Sequence, residues 1–205
     1  MSFYEDHIFP TLLDVATRPV RRDRQALVSR ARGRVLEIGM GTGANLPYYT
    51  GAATDVVGLE PSRTMLAEAE KMASGLPGPN RFRFVVGGAE AMPFADKSFD
   101  TVIACLVFCT IPDTQAAARE AFRVLRPGGE FLFFEHVAHT RPAVRRWQQR
   151  LNPVWKKLAC GCELTRDTEA TFRNAGFEFV ELETVEHPRV PALASAVLRG
   201  RATRN

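Results

Sequence analysis

An apolar segment that runs straight into three alternating glycines constrains this chain more than any other feature. Residues 35–43 read Val35-Leu36-Glu37-Ile38-Gly39-Met40-Gly41-Thr42-Gly43, and helix-compatible sequence follows near Asn45. A strand that breaks into a glycine loop ahead of a helix belongs to open α/β sheets, where missing side chains let a ligand approach the backbone. The spacing is G-x-G-x-G, not the G-x-G-x-x-G of a dinucleotide pyrophosphate site. Glu37 would also repel a pyrophosphate. It suits a ligand that carries an ammonium and a sulfonium, which argues against a nicotinamide-dependent oxidoreductase.

The rest of the chain alternates in the same sense. Thr54–Leu59 reads as a second strand, followed by a helix capped by Ser62 with Met65, Leu66, Ala69 and Met72 along one face. Phe82–Val86 and the wholly apolar Thr101–Phe108 are strands three and four. Asp113 caps a helix that carries Ala118, Phe122 and Leu125 and stops at Arg126-Pro127-Gly128-Gly129. Glu130–Val137 is strand five. Asn152-Pro153 predicts that one helix ends and another starts inside a basic segment. Thr165 opens a further helix, Gly176 closes it, and Phe177–Glu186 and Leu193–Arg199 are the last strands. Two helices, over 3–16 and 20–31, precede all of this. The pattern predicts an α/β fold: a doubly wound, mostly parallel seven-stranded sheet with a C-terminal antiparallel hairpin.

At 205 residues, 45% hydrophobic and 24% charged, the chain suits one domain better than two. We read residues 1–33 as helices forming a candidate lid, 34–137 as the core, 138–164 as a basic cap segment and 165–205 as a helix and hairpin. The longest apolar run, Val102–Cys109, is too short to span a membrane. The acidic start, MSFYEDHIFP, is not a secretory signal. Four cysteines make no disulfide framework, so a reducing, cytoplasmic setting is expected. The net charge of +4 is concentrated at residues 18–34 and 141–157. It reads as solvated arginine-rich helix faces, and with no interleaved aromatics no nucleic-acid partner is expected.

Glu60 ends the second strand, where a carboxylate meets the two hydroxyls of an adenosine ribose. With this residue the sequence resembles the class I S-adenosylmethionine-dependent methyltransferases of the small-molecule branch. The resemblance rests on VLEIGMGTG, VVGLEPS, GGAEAMPFADKSFD and EAFRVLRPGGEFLFFEH. It implies a Rossmann-like methyltransferase fold and S-adenosylmethionine as methyl donor, with S-adenosylhomocysteine as product. It also implies that Gly39, Gly41 and Gly43 line the methionine part, that Glu37 lies near the amino group and that Glu60 grips the ribose, with Pro61 among the cofactor-binding residues. Ala89 and Glu90 would flank the adenine, with Leu106 at the cofactor edge of strand four. Gly88 stands where many members have Asp, which leaves the adenine amino group to Glu90 or to backbone. Trp147-Gln148-Gln149, Asn152-Pro153, Trp155 and Gly161-Cys162-Glu163-Leu164-Thr165-Arg166 are similar to the alkyl-thiol methyltransferases of animals and their bacterial relatives.

That resemblance points to a small-molecule acceptor, a thiol first, with C-, O- or N-methylation of a quinol, lipid or amine as the alternative and a non-catalytic cofactor-binding protein as a further one. A thiol needs little help, because its pKa is near 8.5 and the thiolate attacks. His136 is the candidate catalytic residue, as base or thiolate stabiliser. Tyr4, His7, Cys109 and Trp147 are candidates for the acceptor pocket. Base-amino methyltransferases carry an Asn- or Asp-Pro-Pro-aromatic motif after strand four; this chain reads Cys105-Leu106-Val107-Phe108. Residues 142–159 place Val144, Trp147, Leu151, Trp155 and Leu158 on one side, fit to cap the pocket, and 141–159 is a candidate peripheral membrane contact. Cys105-x3-Cys109 and Cys160-x-Cys162 lack the C-x2-C spacing of a zinc knuckle, so no metal is expected.

Overall fold

The parallel part of the sheet is built from central strands that are largely buried, as their apolar runs require, and one half-exposed edge strand, Arg81–Val86. These are β1 (Gly33–Ile38), β2 (Ala53–Glu60), β3 (Arg81–Val86), β4 (Phe99–Cys105) and β5 (Leu125–His136). They are joined by β6 (Glu178–Glu186) and β7 (Ala196–Thr203) in the order β3-β2-β1-β4-β5-β7-β6. Pairings among β1 to β5 are parallel, and β7 lies antiparallel to both β5 and β6. The fold is seen in a computed structural model that describes residues 9–78 and 81–205. Its α-helices are α1 (Phe9–Ala16), α2 (Arg21–Val28), α3 (Arg63–Ser74), α4 (Thr114–Val124), α5 (Pro142–Leu158) and α6 (Thr168–Asn174). None is long and apolar enough to cross a membrane.

Alternation along β5 serves two cores. Phe131 and Phe133 point to one face with Phe108, Phe172 and Phe177, while Leu132 and Phe134 point to the other with Val28, Val35 and Ile103. Phe172 is the hub of the first core: its ring centroid lies 4.8 Å from Phe108, 4.8 Å from Phe131 and 5.2 Å from Phe133. Phe172→Ala is therefore expected to cost about 3–5 kcal/mol in a urea titration, because packed rings on three sides cannot close the cavity. A loss below about 1 kcal/mol would mean that the cluster is loosely packed.

Local expectations hold where caps are strong. Ser62 Oγ accepts from Met65 N (3.3 Å), and Asp113 Oδ1 accepts from Ala116 N (2.9 Å). Elsewhere tertiary contacts override the sequence pattern. Strand β4 stops at Cys105, three residues early. Leu106 takes φ +57°, and the N–H groups of Val107 and Phe108 turn to the Glu135 carboxylate. Strand β5 starts at Leu125, because the Pro127-Gly128-Gly129 segment is a bulge: Phe99 pairs with Leu125 and Thr101 with Glu130. Helix α5 runs through Pro153 instead of breaking. Gln149, whose carbonyl loses its donor there, is solvent-exposed, and Asn152 is held by Leu164 N donating to its Oδ1 (2.8 Å). Asp167, not Thr165, caps α6, accepting from Ala170 N (3.0 Å). Residues 192–194 form a 3-10 turn, and β7 starts only at Ala196. Met72, expected on the apolar side of α3, is exposed.

Candidate active site

From β1 the chain winds outward to β2 and β3, then returns to β4 on the other flank of β1. This reversal opens a crevice beyond the carboxyl ends of β1 and β4. The glycine loop follows β1, Glu60 ends β2, residues 87–90 follow β3, residues 106–109 follow β4 and His136 ends β5.

Gly39 and Gly41 both have positive φ (+64° and +58°). A Cβ on Gly39 would press into the Val107 side chain, whereas one on Gly41 would meet nothing within 4 Å. Gly39 thus lets two loops touch, and Gly41 faces open space, as a cradle for a ligand should. Gly43 packs against Leu46 and Ala69 and fixes the far end of the loop.

Glu60 is buried, and it ties the loop to α3: Gly41 N donates to Oε2 (3.1 Å) and Ser62 N to Oε1 (3.0 Å). Burial raises its pKa, and those two backbone donors offset this only in part. Each oxygen retains a lone pair, so the carboxylate can accept further donors. Pro61 beside it is exposed. Across the crevice, Ala89 is buried, and Glu90 Oε2 lies 3.0 Å from where a Cβ on Gly88 would stand. The Glu90 carboxylate borders the space that a side chain at 88 would use. Arg123 pins this loop, donating to the carbonyls of Met92 (3.1 Å) and Phe94 (2.8 Å).

Glu37 is deeper. Asn45 Nδ2 donates to Oε1 (2.8 Å) and Tyr49 Oη to Oε2 (2.6 Å), and burial pushes the carboxyl up to about 7. Here its two oxygens organise the segment after the glycine loop rather than stand open to the crevice.

The flank of the crevice beyond β4 and β5 is built from sulfur and imidazole. Cys109, His136 and Cys162 place their ligand atoms within 4.8 Å of one another. His136 is 5% exposed, and its ring nitrogens make no hydrogen bond to oxygen or nitrogen; what they face is the Cys162 sulfur. The Cys109 thiol beside Cys162 holds the latter well below the usual thiol range, helped by His136 and the Trp155 indole, while the Cys109 thiol is itself raised. Glu163 N donates to Cys109 O (2.8 Å), which docks the segment after α5 onto the turn after β4.

Residues 36–133 match the methyltransferase domain family. The chain is 35% identical over 198 residues to human thiol S-methyltransferase TMT1B, covering 88% of this chain and 79% of the relative. It is 38% identical to human thiol S-methyltransferase TMT1A over 160 residues, 75% of this chain; the match spans 64% of that relative, just under two thirds of its length. This chain is a member of the methyltransferase family. Among solved structures, a SAM-dependent methyltransferase from Thermotoga maritima superposes with a TM-score of 0.69 at 22% identity, over 98% of this chain and 99% of that one, which supports the Rossmann-like fold.

Not every residue singled out in the methyltransferase sequence reaches the crevice. Tyr4 and His7 lie outside the described residues. Trp147 is 56% exposed on α5, with Arg150 over its ring at 5.6 Å. His139 is buried but occupied, its Nδ1 accepting from Arg141 N (3.0 Å). Leu106 is half-buried at the end of β4. Cys105 behaves as a hydrophobe, burial pushing its thiol up to about 12. Reading the sequence put Glu135 beside the pocket after strand five and Trp155 in the cap segment, and missed that Cys162 joins Cys109 and His136. Both Glu135 oxygens bind the turn after β4 (3.1 Å each), and burial pushes this carboxyl up to about 8. Cys162 and Trp155 carried a visible signal in the Trp155…Gly161-Cys162-Glu163 run, but nothing in the spacing paired them with Cys109 and His136.

Proposed function

We propose that this methyltransferase places the methyl group of S-adenosylmethionine on the sulfur of a small thiol, leaving S-adenosylhomocysteine. S-adenosylmethionine supplies, when bound, a methyl carbon activated by its sulfonium. The residues fit that ligand. Glu60 has lone pairs to accept from both ribose hydroxyls, Glu90 in place of a residue-88 side chain can accept from the adenine amino group, and Gly39, Gly41 and Gly43 leave room for the methionine end. Pro61, Ala89 and Leu106 bound the adenosine. Glu37 holds Asn45 and Tyr49 in place and adds negative charge behind the loop.

The acceptor side carries the choice of thiol. Its groups are two cysteines and His136, and its carboxyl, Glu135, is committed to backbone N–H groups. A carbon or hydroxyl acceptor would need a strong base; a thiol is already close to its thiolate near neutral pH. The two human relatives, both thiol S-methyltransferases by name, support the same reading. His136 is the group that faces the acceptor sulfur. A panel of matched alkyl thiol, alcohol and amine, followed by S-adenosylhomocysteine release, tests this: turnover confined to the thiol is expected, and turnover confined to the amine would overturn it.

Residues 141–159 also form a peripheral membrane contact in this proposal. Trp147, Leu151 and Val154 are exposed on α5, spaced along one stripe and flanked by Arg150 and Lys157. Co-sedimentation with anionic vesicles, reduced at least ~10-fold by Trp147→Glu, is expected; equal binding by the variant would contradict it.

A further inference from the structure

We propose that Cys109, His136 and Cys162 bind one zinc ion, and that its fourth ligand is the thiolate of the substrate. This rests on the thiol reading above and goes beyond it by assigning a metal and an acceptor-binding position.

The three ligand atoms come from distant parts of the chain: the turn after β4, the end of β5 and the segment after α5. They meet within 4.8 Å. Tetrahedral zinc with bonds of about 2.3 Å to sulfur and about 2.0 Å to nitrogen holds its ligands roughly 3.5–3.8 Å apart, so small side-chain rotations close the site. His136 is the independent pointer. Its buried ring nitrogens make no hydrogen bond to oxygen or nitrogen and lie against the Cys162 sulfur, and a metal ligand is the commonest use of a neutral imidazole. Before substrate binds, two thiolates and a neutral imidazole around a divalent cation carry no net charge; the substrate thiolate brings the site to −1, next to the buried indole N–H of Trp155.

The surroundings match a catalytic rather than a closed structural site. Three protein ligands leave one tetrahedral position open, as in zinc enzymes that bind substrate or water there. Trp155 Nε1 is buried beside Cys162, where it can donate to a metal-bound sulfur. Glu135, adjacent to His136, anchors the turn that carries Cys109 through its bonds to Val107 and Phe108. Cys162 remains partly exposed, so the site has an open side. On ligation the substrate S–H bond breaks, its proton leaves to water and its electron pair stays on sulfur as the metal's fourth ligand. Zinc selection over harder ions follows from the two thiolates.

The test is metal analysis of the untagged full chain after dialysis against zinc, followed by exchange to cobalt. About one zinc per chain is expected, falling at least ~10-fold in His136→Ala and Cys162→Ser. His136→Cys, which keeps a soft ligand, should restore it, and Cys160→Ser should leave it unchanged. The cobalt form should show a sulfur-to-metal charge-transfer band that shifts when an alkyl thiol is added and not when its alcohol is. Metal-free, folded protein that turns over thiol at the same rate in the presence of chelator would overturn the site while leaving thiol methylation intact. So would zinc retained equally by the ligand variants, or a Cys109–Cys162 disulfide found by peptide mapping in place of metal. A cobalt spectrum unmoved by thiol would overturn the substrate-ligand assignment, and with thiol turnover also absent the failure would lie in the thiol reading itself.

Discussion

Glu60→Ala is expected to weaken S-adenosylmethionine binding at least ~100-fold in a calorimetric titration, since hydrogen bonds to a charged group contribute about 1.5–3 kcal/mol each. Two such bonds are at stake, because each carboxylate oxygen has one lone pair left after accepting from Gly41 or Ser62. Part of the loss would come from the glycine loop, which the same carboxylate ties to α3. Glu60→Gln separates the contributions. It keeps one acceptor and nearly the same shape, so it should lose less than the alanine variant. Equal affinity in wild type and Glu60→Ala would remove Glu60 from the cofactor site.

A second large effect concerns stability and pH. Burial lifts the Glu37 carboxyl from 4.5 to about 7 in the folded chain. Between those values the folded state keeps a proton that the unfolded chain has released, so rising pH favours unfolding across that window and levels off above it. The ionised form costs the fold a few kcal/mol at pH 8, at about 1.4 kcal/mol per pKa unit. Glu37→Gln carries no such cost, and Tyr49 can turn its hydroxyl to accept from the new amide. Urea titrations should therefore show the variant gaining on wild type by roughly 2–3 kcal/mol between pH 4.5 and 8. A difference independent of pH would mean that Glu37 titrates normally.

The placement of the glycine loop and Glu60 at the crevice was legible in the sequence because these residues are local to strand ends. The glycine loop follows β1 directly, and Glu60 is the last residue of β2. The meeting of Cys109, His136 and Cys162 was not, because it depends on where β4 stops. Residues 106–109 are as apolar as the strand before them, and only the carboxylate of Glu135, on the neighbouring strand, takes their N–H groups and turns them. That turn carries Cys109 toward Cys162 and His136. Cysteine spacing within each pair pointed away from a cluster, since the fold takes one thiol from each pair and leaves Cys105 and Cys160 aside. Pro153 misled for a similar reason: an exposed helix turn tolerates the missing donor, and a tertiary bond to Asn152 holds the helix on either side.

The most direct measurement of the account is a competition reaction with S-adenosylmethionine labelled in its methyl group with deuterium. Wild-type protein would receive an equimolar mixture of an alkyl thiol, the matching alcohol and the matching amine, with products read by mass spectrometry. The label should appear on the thiol sulfur alone. Label on the amine or alcohol instead, or on no acceptor while the methyl donor still binds, would contradict a thiol S-methyltransferase.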